Sequence, residues 1–197
     1  MPSFIASQAN AREFLAAGSP LATALYRDNF SRDQINTDNA IGTTGLITAM
    51  AVYLFAGDVI TKASVCVGAT AGGTLTNKYF ALYSGATIPA LVGTQQTSDT
   101  GATMAANTVY TGTFGATYTV PTSGLYWVAF CVTGTTIPTL IGKTTNLNAT
   151  AAAALNTLQA GTMTNGLCVT ATGNATTAPA TMASLTQLAV QPWVLLQ

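Results

Sequence analysis

The chain contains no histidine. That absence removes the side chain that most often serves as general base, metal ligand and triad member, and with it most hydrolase chemistries. Charge is nearly as scarce: six basic and six acidic residues make up 6% of 197 positions, against roughly a quarter in an ordinary soluble domain. The net charge is zero, so no long-range field gathers phosphate backbones or anionic head groups. Neither nucleic acid nor a membrane is expected as a partner. Long apolar runs are missing too, since the longest, Ala49 to Ala56, is far short of a membrane span. Arg12 and Glu13 stand where a signal peptide needs continuous apolar sequence, which predicts an unprocessed protein made in the cytoplasm.

Other chemistries lack their residues. The three cysteines, Cys66, Cys131 and Cys168, each lie inside a β-like run with no second cysteine nearby, so buried free thiols are expected rather than a disulfide or a metal site. A glycosidase needs two carboxylates at a fixed separation. The β-rich body offers only Asp58 and Asp99, both beside Gly-containing turns, where Asx hydrogen bonding is the simpler role. Gly68-Ala69-Thr70-Ala71-Gly72-Gly73 precedes a strand and no Lys-Ser/Thr follows it, so it reads as a turn and not a phosphate loop. Asp38-Asn39 is an acid–amide pair without a run of alternating acids, too little for a calcium loop. The sequons at Asn148 and Asn174 are chance matches in a Thr-rich chain. No catalytic, cofactor-binding or metal site is expected, and the chain reads as a non-enzyme.

What the chain has is a division. Seven of its charges precede residue 40, and Asp58, Lys62, Lys78, Asp99 and Lys143 serve everything after it. Residues 1–42 read as a helical arm. Ser7 caps a short helix that Gly18 ends, Ser19-Pro20 opens another running to Tyr26, and Ser31 with Gln34 opens one more turn. Such helices are too short to stand alone in water, so the arm either docks on a neighbour or folds back over its own body. From Thr43 the text turns β-branched, aromatic and punctuated by glycine. Strands are expected near 46–55, 60–67, 79–83, 90–95, 109–114, 116–120, 124–132, 167–171 and 193–196, with a long loop near 144–166. No helix separates them, which favours an all-β antiparallel sandwich of the jelly-roll kind over residues 43–197. In Leu125 to Phe130, alternation puts Leu125, Trp127 and Ala129 on one face and Tyr126, Val128 and Phe130 on the other. A strand apolar on both faces belongs in mid-sheet with both faces covered. Period-2 aromatics such as Tyr79, Phe80, Tyr83, Tyr110 and Phe114 are read as core.

The block Leu46 to Lys143 resembles a β-sandwich domain of minor tail, tail-fibre and head-decoration proteins of phages that infect actinobacteria. The matching segments are Gly45 to Asp58, Lys78-Tyr79-Phe80-Ala81-Leu82-Tyr83-Ser84, Thr119 to Ala129, Ile137-Pro138-Thr139-Leu140 and Gln191-Pro192-Trp193-Val194. The resemblance implies a jelly-roll-like virion protein with no catalytic residues to carry over. Physics and resemblance together predict a virion structural component whose arm holds other virion proteins and whose uncharged body self-associates, as a homotrimer by analogy with phage jelly rolls. The alternative is a receptor- or carbohydrate-binding tail-fibre module, with loops Thr94 to Asn107 and Thr144 to Gly166 facing host-surface glycans.

Overall fold

The computed structural model describes residues 27–85, 88–93, 99–101, 103–144, 168–173, 176–188 and 190–197. Its strands are β1 Arg27–Asp28, β2 Thr37–Ala40, β3 Leu46–Leu54, β4 Val59–Cys66, β5 Gly73–Ser84, β6 Ala90–Leu91, β7 Val109–Thr119, β8 Gly124–Thr136, β9 Thr139–Thr144, β10 Cys168–Thr172, β11 Thr186–Gln187, β12 Val190–Pro192 and β13 Val194–Leu196. They form a four-stranded sheet β1-β13-β4-β7, a six-stranded sheet β11-β10-β3-β8-β5-β6 and a three-stranded sheet β12-β9-β2. Every ladder is antiparallel. A single bridge, Val67 to Leu140, ties β9 to the end of β4. The fold is an all-β sandwich.

The main core lies between the four- and six-stranded sheets. Ile60, Ala63, Val65, Phe114, Val194 and Leu196 from one side meet Met50, Val52, Leu54, Phe80, Leu82, Val128 and Phe130 from the other. Each such side chain, once buried, contributes about 1.5–3 kcal/mol relative to exposure. β8 is the central strand, paired with β3 on one side and β5 on the other. Its alternation sends Tyr126, Val128, Phe130 and Val132 into this core. Trp127, Ala129 and Cys131 enter a second core on the sheet's outer face, with Ile47, Ala49, Tyr79, Ala81 and Tyr83. Met182, Ala178 and Leu185 pack against that second face, as the two-sided apolar pattern requires.

The structure redraws the arm's boundary. Residues 27–40 are not helical arm but sheet: β1 pairs with β13 and β2 with β9. Between them Arg32–Gln34 form one 3-10 turn, and Ser31 at its start makes no side-chain cap bond. The expected helices between Ser7 and Tyr26 lie outside the described residues. The two strands expected at 109–114 and 116–120 are one strand, in which Phe114–Thr117 bulge opposite Thr61. Of the strand expected at 90–95, Ala90–Leu91 form β6, Val92 and Gly93 do not continue it, and the rest lies outside the described residues. β9 was unforeseen because Gly142 interrupts it. There the Gln191 carbonyl and Pro192 of β12 pass so close that no side chain fits, a normal reason for glycine inside a strand. The long loop, apart from the end of β9, lies outside the described residues.

Candidate functional site

The few charged groups of the body are held by the fold itself. β1, laid along β13, brings Arg27 to the turn between β3 and β4, where Gly57 takes a left-handed φ of +92°. Arg27 Nε donates to Asp58 Oδ2 and Nη2 to Oδ1, both at 2.8 Å. Both residues are buried. The Phe55 N–H donates to the same carboxylate at 3.0 Å, and the guanidinium sits 5.1 Å from the Phe55 ring centre. Bidentate geometry with added donors is what makes a buried pair tolerable.

The second carboxylate serves a second cation. Lys78, on the inner face of β5, is 2% exposed and its Nζ meets Asp99 Oδ2 at 2.9 Å. It also donates to the Gly101 carbonyl at 2.8 Å and lies 5.3 Å from the Tyr110 ring centre. Tyr110 Oη donates to Asp99 Oδ2 at 3.0 Å, and the Gly101 N–H to Oδ1 at 2.7 Å. The last contact is the Asx turn expected from sequence. The hydrogen bond from Lys78, more than any other contact, holds the Asp99 carboxyl below its usual range, while burial raises the Tyr110 hydroxyl well above its own. The turn reading of the two aspartates was therefore incomplete. The missed signal was Lys78 itself: a lysine in the run Asn77-Lys78-Tyr79-Phe80 must be paired if buried, and the body has only two acids to offer.

The Asp38-Asn39 pair is divided by strand alternation. Asp38 Oδ2 accepts from the Ala69 N–H at 2.7 Å and steadies the turn between β4 and β5, with Thr139 Oγ1 accepting from Thr70 N–H at 3.1 Å. Asn39 turns inward and is buried beside Gly142. Among the described residues no three of His, Cys, Asp and Glu come together. Cys131 and Cys168 are buried and Cys66 is half-buried. Desolvation raises all three thiols, Cys168 to about 12. The expectation of uniformly buried thiols is thus corrected at Cys66, which packs with Phe30, Trp193 and Leu195 on the outer face of the four-stranded sheet.

The aromatic side chains are mainly core: Phe80 packs on Phe130 with centroids 4.8 Å apart and stacks on Tyr110 at 5.7 Å. Tyr53 is the exception, 54% exposed and edge-on to Phe55. Of the loop Thr94 to Asn107, the described part is tied down by bridges from Asp99 to Lys78 and from Met104 to Gly72. Asp58, Lys78, Asp99 and Lys143 all have partners within the chain, Lys143 bonding Gln34 and covering Phe30. The Asp58 carboxylate is buried, the Asp99 side chain is 43% exposed and held by Lys78, Tyr110 and Gly101, and the exposed charges among the described residues are Arg32, Asp33, Asp38 and Lys62. A scan against protein-family models finds no match for this chain, and a search of the curated proteins finds none either.

Proposed function

We propose that the protein is a structural component of a bacteriophage particle, a minor tail or head-decoration protein that acts by assembly contacts and catalyses nothing. The observation that carries this reading is where the charge goes. Four of the five charged residues after Asn39 are engaged inside the chain, which leaves Thr, Ala, Gly and Asn to face outward, a surface suited to being covered by neighbours and poorly suited to a free monomer. The strand pairing supports a jelly-roll reading of residues 37–144. On this reading the Val67–Leu140 bridge joins the separate sheets β12-β9-β2 and β1-β13-β4-β7 at a step where β13 is inserted, which would give the orders β2-β9-β4-β7 and β3-β8-β5-β6 of a double Greek key. The phage resemblance of Leu46 to Lys143 agrees with that order. The particle is the expected location, and self-association, with a homotrimer as its specific form, the expected state.

The test is incorporation. Arg27 and the strands that follow belong to the body, so the deletion must stop at residue 26. A chain lacking residues 1–26 is expected to fold and to be absent from purified particles, while the full chain is found in an electron-microscopy map of them. Normal incorporation of the shortened chain removes the anchoring role, and absence of the full chain from particles removes the virion reading. Exposed Tyr53 beside Phe55 keeps the glycan-binding alternative in view. Binding across a broad glycan array, lost in Tyr53→Ala, would favour it.

A further inference from the structure

The six sheet edges among the described residues are unequal. β1, β11, β6, β12 and β2 are two to four residues long, which is how proteins keep edges from recruiting other chains. β7 is eleven residues long and carries neither charge nor proline. Its inner edge pairs with β4, and among the described residues no strand pairs with its outer edge. The Val67 N–H donates to the Thr108 carbonyl at 2.8 Å, so Thr108 faces β4, and in an antiparallel ladder the alternate residues Val109, Thr111 and Thr113 turn their N–H and C=O groups outward. All three are exposed, Val109 at 61%. The bulge at Phe114–Thr117 closes this run at one end, and Asn107, with φ of +56°, closes it at the other.

We infer that Val109–Thr113 is a docking edge for a second copy of this chain, paired antiparallel across a twofold axis at Thr111. The occupant follows from charge and register. A neutral strand opposes nothing repulsive when it meets itself, and centring on Thr111 sets Val109 against Thr113 of the copy, so each outward N–H and C=O finds its partner. The contact deepens the assembly reading by naming its surface and partner; being twofold, it leaves any threefold contact to another face.

Sedimentation of the full chain tests it at micromolar concentration, with thermal melts as the folding control. The wild type is expected to self-associate, Thr111→Lys and Thr111→Asp each to fall to half the wild-type mass through like charges meeting at the axis, and their equimolar mixture to regain it. Variants that associate as the wild type does would overturn the β7 contact and leave assembly through another face. A mixture that stays at the halved mass would overturn the pairing at Thr111. A wild type that is monomeric throughout would overturn the inference and the self-association reading together.

Discussion

The two large sheets treat their outer faces in opposite ways. The six-stranded sheet is apolar on both sides, and its outer face, built on Trp127, Tyr79, Tyr83 and small alanines, is buried under the chain's own 178–185 segment. In the four-stranded sheet the described residues that cover the outer face are at the β13 side, where Phe30, Trp193 and Leu195 cluster. At the β7 side it ends in exposed threonines. The outer face of the first sheet is covered by its own chain; along the second, no strand among the described residues pairs with the outer edge of β7. An uncharged protein therefore need not be uniformly adhesive. Among the described residues the longest sheet edge without a pairing strand is that of β7.

The sharpest way to break this comparison is at the outer face of the six-stranded sheet. Trp127 is fully buried and its Nε1–H donates to the Gly85 carbonyl at 2.9 Å. Trp127→Ala is expected to destabilise the fold by about 3–5 kcal/mol, measured by urea unfolding. A loss below about 1 kcal/mol would mean that this face is surface and that the two sheets do not differ.

The border of the four-stranded sheet at β1 gives the next effect. Asp58→Ala takes the bidentate carboxylate from the buried Arg27 guanidinium and is expected to cost about 3 kcal/mol in the same assay, whereas the double change Arg27→Met with Asp58→Leu recovers most of it. If the double variant is as unstable as the single, hydrogen bonding to Phe55 and not charge burial is what matters there, and β1 is a weaker part of the sheet than its pairing suggests.

How much of this was legible in the sequence follows the same division. Two-faced apolarity in Leu125 to Phe130 is enough by itself to place β8 in mid-sheet, because alternation reports burial directly. Short strands were harder. Arg27–Asp28 and Thr37–Ala40 carry no hydrophobic pattern of their own and are strands only because β13 and β9 lie alongside, which is tertiary context overriding local propensity. The two ion pairs were hidden for a related reason: their partners are 31 and 21 residues apart in sequence, and only folding brings them together. The absence of histidine and the scarcity of charge were readable at once, and they still bear most of the functional argument.

The smallest effect concerns the joint between the two sheets. Lys78 belongs to the six-stranded sheet and Tyr110 to the four-stranded one, and Asp99 contacts both. Asp99→Asn leaves the buried ammonium with neutral partners, an expected cost of about 1–2 kcal/mol at neutral pH. The acid dependence carries the sign. The Asp99 pKa is lowered from 3.8 in the folded state, so its contribution is complete above about pH 4 and is lost as pH falls through the lowered value. Asp28 acts oppositely, because burial raises its pKa from 3.8 and protonation relieves that cost. Subtracting the urea-unfolding curves of Asp99→Asn from those of the wild type cancels Asp28. The difference is expected to be flat above pH 4 and to shrink steadily below it. A difference independent of pH would show that the carboxylate's charge does nothing for Lys78, and that this joint is held by the Phe80–Tyr110 stack and the surrounding apolar core.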